Sequence, residues 1–489
     1  MRLFNRFFTI IFIIALNQLH ANNVTYYSEK EAIELYSKII TAFDNDLDKR
    51  VWDGYIISPN PTLIHFSNNH IYAFNLRTED PRWNAINILN ENIFFSGTDH
   101  WGITQIPVHP FFSIDNQFAY VFKGDLTGNI TYSTFIVFVH ERFHKYQMTN
   151  WQDFAPTSTK YTAHCNEENI VLSFIENLIL QDFIRNNSVE KLKDFLAVNL
   201  TRRNIIGEES YNWELWQQKT EGTAEYIHAK TFMELQILAD FNFVNFMEKR
   251  IESSFTQSID AIIKWRHYLV GGILCHAFDF LNIPSWKEVL SVGKKQIALL
   301  EETLNLSQEE ITERLEILKF AYNYDALKNK ANLAIDSYKN ELNSIYQQYN
   351  SLKGIPIIIE EPNGGSGGGA TGKTYYLADG GTLNINATHT TTCQNGQWVL
   401  NLINVPFIIN TYTSTEFKES HDLHITIDNI FYDLQNLVNE EGKIIHFSSV
   451  KWEGVFSTLN ATQSEGILTV KNGKVYLNFN IDSKGSTSD

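Results

Sequence analysis

From about Thr131 to Gly354 the chain repeats apolar residues at spacings of three and four, as in "ENIVLSFIENLILQDFIRN", "TAEYIHAKTFMELQIL" and the charged run from Ser307 to Ser351, and proline is scarce. That period predicts amphipathic helices. Upstream, "TLIHFSNNHIYAFNL", "NIFFSGT" and "QFAYVFKGD" read as strands. Strands followed by helices point to an α+β unit. Downstream, "TYYLA", "GQWVLNLI", "HDLHITI", "GKIIHFSSVKW", "GILTV" and "GKVYLNF" alternate apolar with polar residues, and "VKNGKV" adds an Asn-Gly hairpin signal. A C-terminal all-β sandwich is expected there. Between them "EPNGGSGGGATGKT" cannot bury apolar surface and reads as a flexible tether.

The expected organisation is a secretory signal over 1–21, a strand-containing part of the first domain over 22–130, a helical domain over 131–353, a linker over 354–373 and a β-sandwich over 374–489. The signal rests on Arg2 and Arg6, an apolar run from Phe7 to Leu16, and Leu19 and Ala21 before the cleavage point. It implies a secreted or periplasmic protein. No later segment reads as an integral membrane span.

Composition narrows the function classes. With 489 residues, 43% of them hydrophobic, the chain has ample core for more than one domain. A net charge of -17 offers no basic excess to replace the counterions of a nucleic acid, so a nucleic-acid partner is excluded. Removing Arg2 and Arg6 with the signal would take the charge from -17 to -19. Cys165, Cys275 and Cys393 form no disulfide scaffold and no CxxC metal site, and Cys275 reads as a small buried residue. Asn129, Asn199 and Asn386 head glycosylation sequons.

The chemistry is concentrated in "FIVFVHERFHKYQ". Five apolar residues, Phe135 to Val139, run straight into His140, Glu141 and His144, so polar groups enter a core and must be paired there. Histidines four apart share one helix face, and Glu141 stands beside them to handle water. Imidazole and carboxylate donors suit one Zn2+ ion, which needs a third protein ligand and an open position. Glu221 in "QQKTEGTAEYIHAK" is the candidate, read as a carboxylate at the start of a helix, with Gly222 and Ala224 permitting close approach of another helix; Glu225, one turn on, competes with it.

HExxH followed by an "EGxAxY" segment resembles the gluzincin metallopeptidases, the thermolysin-like and M1 aminopeptidase-type enzymes. The resemblance implies a zincin-like catalytic domain, with Glu221 as third zinc ligand beside His140 and His144, and Glu141 as general base. "WRHYLVGGILCHAFDFL" is similar to their "YxxG" helix, which implies a hydrogen bond from Tyr268 to the tetrahedral intermediate; Arg266 is a second candidate for the oxyanion or a substrate carboxylate. The 76 residues between His144 and Glu221 exceed the aminopeptidase spacing, and no "GxMEN" segment precedes His140. The expected activity is therefore endopeptidase action on a peptide or protein substrate, with aminopeptidase trimming or a non-catalytic binding and adhesion role as alternatives. The C-terminal domain suits docking to a surface or substrate, and a plain stabilising module fits equally well. His164 reads as a polar loop residue, His228 and His276 as supporting or core residues, and "WGITQIPV", between His100 and His109, as a strand lining the cleft.

Overall fold

The computed structural model describes the chain apart from residues 1–25, 58–60, 90, 101–107, 115–116, 126–128, 155–160, 237–241, 255–258, 361–372, 378–380, 386–388, 393–397, 403–405, 411–413, 420–422, 455–456 and 480–489. The signal segment, most of "WGITQIPV", Cys393 and Asn386 lie outside the described residues.

The chain enters through a helix that the strand pattern did not anticipate. α1 (Glu29–Ala42) is closed by a capping box between Ser28 and Glu31 and buries Ile33, Tyr36, Ile39 and Ile40 on one face. A kink at Asn45 and Asp46, the latter at a φ of 70°, and a short α2 (Asp48–Val51) follow. Six strands come next: β1 (Thr62–His65), β2 (Ile71–Phe74), β3 (Asn84–Ile88), β4 (Glu91–Ser96), β5 (Val108–Ile114) and β6 (Gln117–Lys123). Among the described residues they form one sheet in the order β3-β4-β2-β1-β6-β5, in which only β1 and β6 run parallel.

The middle of the chain is helical, as its period predicts. It comprises α3 (Tyr132–Asn150), α4 (Glu167–Asn186), α5 (Val189–Leu235), α6 (Phe243–Ser254), α7 (Ile259–Phe280), α8 (Trp286–Ser291), α9 (Gln296–Leu304), α10 (Gln308–Ala321) and α11 (Tyr324–Ser351). α3 is buried on all sides from Tyr132 to His144, which is why its sequence is apolar without amphipathic relief. α5 is broken at Gly207, whose φ of 76° a residue with a side chain would resist. Among the described residues no helix is long and apolar enough to cross a membrane.

The C-terminal region is β-rich. Its strands are β7 (Ile355–Glu360), β8 (Lys373–Tyr376), β9 (Thr382–Ile385), β10 (His389–Thr392), β11 (Trp398–Leu402), β12 (Phe407–Asn410), β13 (Ser414–Glu419), β14 (His424–Ile427), β15 (Ile430–Asp433), β16 (Ile444–Glu453), β17 (Ser457–Lys471) and β18 (Lys474–Phe479), with a short α12 (Leu434–Val438). They hydrogen-bond as one continuous set, β15-β14-β16-β17-β18-β7-β13-β12-β9-β8, with β11 pairing β17 and β10 pairing β11. Asn472 and Gly473, both at positive φ, close the β17–β18 hairpin where the Asn-Gly signal placed it.

Two expectations about the seam change. The proposed linker over 354–373 contains a strand: β7 is paired parallel to β18 and antiparallel to β13. The glycine-rich run therefore joins two strands of one sheet, although residues 361–372 themselves are not described. At the far edge of that sheet Tyr375 donates a hydrogen bond to Glu341 on α11 at 2.6 Å and packs against Tyr338, so Tyr375, Leu377 and Leu383 share the helical core. A run such as "IPIII" reads as tether-flanking sequence only when its partners, more than 50 residues downstream, are ignored.

Candidate metal centre

α3 carries the motif and β6 steadies it. Tyr120 on β6 donates to the Glu141 carbonyl at 3.0 Å, and the Arg142 guanidinium lies 4.4 Å above the Tyr120 ring. The Tyr55 hydroxyl approaches the Val139 carbonyl at 3.4 Å. These contacts hold the histidine-bearing face of α3 toward the other helices.

Opposite stands α5. Glu221 sits in the helix interior rather than at a helix start, because α5 runs unbroken from Glu208 to Leu235. Its Oε2 lies 3.1 Å from Nε2 of His140 and 3.0 Å from Nε2 of His144. Donor atoms of His140, Glu141 and His144 also lie within 4.8 Å of one another. All four side chains are buried.

The two separations from Glu221 suit a tetrahedral ion. Bonds of about 2.0–2.1 Å put neighbouring donors roughly 3.3 Å apart, close to the two observed separations. The Glu221 carboxylate draws positive charge to His144, while burial resists it at His140. Burial alone would lower His144, yet the Glu221 charge and hydrogen bond raise it to about 9. Burial would raise Glu221, but the His144 charge and hydrogen bonds from both rings hold it well below the usual carboxylate range. His140 is pushed down to about 4 by burial. Two of the donor separations in the set His140, His144 and Glu221 are thus those a zinc ion would need, and the same contacts serve as hydrogen bonds between Glu221 and the two rings.

Glu225 does not join them. It faces the other side of His140, with Oε2 3.9 Å from Nδ1 of His140 and 3.7 Å from Nδ1 of His228. Burial pushes it up to about 7, against the pull of Arg250 and with a further push from Glu221. His140, Glu225 and His228 could in principle hold a cation of their own, but the Arg250 guanidinium is already ion-paired with Glu225 Oε1. A second ion there would stand beside a fixed positive charge.

α7 brings Tyr268. The helices cross at glycines: a methyl group on Gly222 would lie 2.3 Å from the Gly271 Cα, and one on Gly271 would lie 2.0 Å from the Gln218 carbonyl oxygen. The close approach read from Gly222 is therefore real, and its partner is the Gly271–Gly272 pair. One turn before Gly271, the Tyr268 ring stacks on His140 with centroids 5.8 Å apart and planes 11° from parallel. Burial, then the Glu221 and Glu141 charges, raise its hydroxyl well above the ordinary phenol value.

Arg266 is not brought to this point, and its assignment to an oxyanion or substrate carboxylate is corrected. Its guanidinium pairs with Glu176 and its Nε donates to Asn177 Oδ1 at 2.9 Å, both on α4. It belongs to a buried cluster in which Arg202 bridges Glu176 at 3.1 Å and Glu214 at 2.6 Å. Two residues along a helix turn a side chain by about 200°, so Arg266 and Tyr268 face different neighbours.

Other expectations resolve individually. His164 lies in a turn but is buried against Tyr338. His228 is fully buried with its ring 6.0 Å from that of His140, and His276 packs between Phe183 and Phe243. Cys275 is buried and free. Asn199 is buried with its amide on Glu176, so this sequon is closed to a glycan in the folded chain. Sequence reasoning missed Gln147, which contacts His144, and Arg250, which neutralises Glu225. The Gln147 signal was present, three residues beyond His144 on the same helix face. Arg250 left no local signal.

No protein family, curated protein or solved structure matches this chain.

Proposed function

We propose that the protein is a secreted zinc-dependent peptidase of gluzincin type, built on a zincin-like catalytic domain and acting as an endopeptidase. The observation that supports this most is the approach of one buried Glu221 oxygen to Nε2 of both motif histidines, across 77 and 81 residues of chain. His140, His144 and Glu221 would hold the ion. When bound, zinc would supply Lewis acidity to the scissile carbonyl and make water at the site more acidic.

The side chains divide the remaining work. Glu141 accepts a proton from the attacking water as the carbon–oxygen bond forms, and returns it to the nitrogen as the carbon–nitrogen bond breaks. Tyr268, held in its protonated form, donates a hydrogen bond to the developing oxyanion. The product carboxyl and amine leave without a covalent enzyme adduct. A purely structural ion would have no use for a carboxylate at position 141, which argues against the binding-protein alternative.

Zinc analysis of the protein, followed by digestion of a peptide library, separates the readings. Internal cuts support an endopeptidase, stepwise loss of N-terminal residues an aminopeptidase, and a chain that takes up no zinc a binding module. Glu221→Ala is expected to retain the fold and lose at least about tenfold in zinc affinity; wild-type affinity in that variant would remove Glu221 from the centre.

A further inference from the structure

Gln147 is completely buried one turn beyond His144 on α3, and its amide is used at both ends. Oε1 lies 2.6 Å from His144 Nδ1. Nε2 donates to the Thr220 carbonyl at 2.9 Å and to the Thr223 hydroxyl at 2.7 Å. A peptide carbonyl only accepts, so the amide nitrogen must face Thr220 and the oxygen must face the imidazole. An acceptor at Nδ1 requires the ring proton there. Nε2, the nitrogen 3.0 Å from Glu221 Oε2, is then the atom left to bind a cation.

The other end of the amide reaches the residues that bracket the acidic donor. Thr220 precedes Glu221 directly and Thr223 follows it by two positions. Thr223 in turn donates to the Lys219 carbonyl at 2.6 Å, so its hydroxyl is fixed within α5. One side chain therefore contacts the second histidine and the backbone beside the third ligand, in an interior where water offers no substitute partner.

We infer that Gln147 is the positioning residue of the centre: it sets the His144 tautomer and holds the Glu221 segment of α5 in register with α3. The inference rests on the proposed metal site and adds a residue that touches neither ion nor substrate. A carboxylate here would satisfy His144 but repel the Thr220 carbonyl, and an aliphatic side chain would satisfy neither. An amide of this length serves both.

The test is a zinc titration against a chromophoric chelator, using wild type and Gln147→Met well below the unfolding temperature of each zinc-free chain. Met keeps the length of the side chain and removes both hydrogen-bonding ends, and the zinc Kd is expected to weaken 10- to 100-fold. An unchanged Kd in the folded variant overturns the inference. Should the variant fail to fold, long-range proton–nitrogen spectra of zinc-loaded wild type decide it. A proton on Nδ1 of His144 with the ion on Nε2 is expected, and the opposite arrangement overturns the role of Gln147. A wild-type chain that binds no zinc overturns the metal centre itself, which is a different failure.

Discussion

Gly222→Ala is the most demanding perturbation, because it touches no proposed ligand and yet should disturb the whole centre. The added carbon would lie 2.3 Å from the Gly271 Cα, 2.7 Å from the Gly271 carbonyl carbon and 2.9 Å from the Gly272 nitrogen, all backbone atoms that no rotamer change can move. Carbon atoms rest at about 3.5–4.0 Å, so α5 and α7 must separate by roughly 1.5 Å. If α5 moves away from the histidines by that amount, the separations of 3.1 and 3.0 Å from Glu221 to the two rings grow to roughly 4.5 Å. Two donors bound at about 2.05 Å can be at most about 4.1 Å apart, so one ion could no longer bridge them. Overpacking costs about 1–3 kcal/mol, of which the better helix propensity of alanine offsets about 1 kcal/mol. Chelator competition should therefore show zinc affinity falling by at least about 100-fold, and thermal unfolding of the zinc-free chain should show a lower Tm. A variant with wild-type zinc affinity and an unchanged or higher Tm would refute the argument from the crossing.

Glu141→Gln should keep zinc and reduce cleavage of a quenched peptide by about 10²–10⁴, and normal turnover would cancel the role given to Glu141. Tyr268→Phe should lower kcat by about 10²–10³ with zinc content unchanged; a rise in KM alone would make the ring a binding surface instead. Arg266→Met should leave the Glu176 carboxylate short of a buried partner and cost about 3–5 kcal/mol in urea unfolding, while zinc uptake persists. Loss of zinc in that variant, with stability intact, would return Arg266 to the centre.

Much of this protein could be read from local order. The helical period from Thr131 onward, the Asn472–Gly473 hairpin and the histidine pair on a buried helix each depend on neighbours within a few positions, where side-chain direction follows from backbone geometry. The Ser28–Glu31 capping box is equally local and marks the start of α1. The strand at Ile355–Glu360 was hidden for a different reason, since what makes it a strand is pairing with β13 and β18, far along the chain.

The donor set belongs to the second kind. Glu221 and Glu225 are four apart on one helix and chemically alike, so their spacing cannot say which one meets the histidines. The glycine crossing of α5 on α7, the Arg250 guanidinium on Glu225 and the Gln147 amide between α3 and α5 decide that Glu221 faces Nε2 of both rings. Each of these joins elements separated by tens of residues. The sequence determined which residues could carry the chemistry, because residue type and helical period are properties of short stretches. Tertiary structure alone decided which of them meet, because the distance and rotation between packed helices are set by the close fit of side chains from opposite parts of the chain.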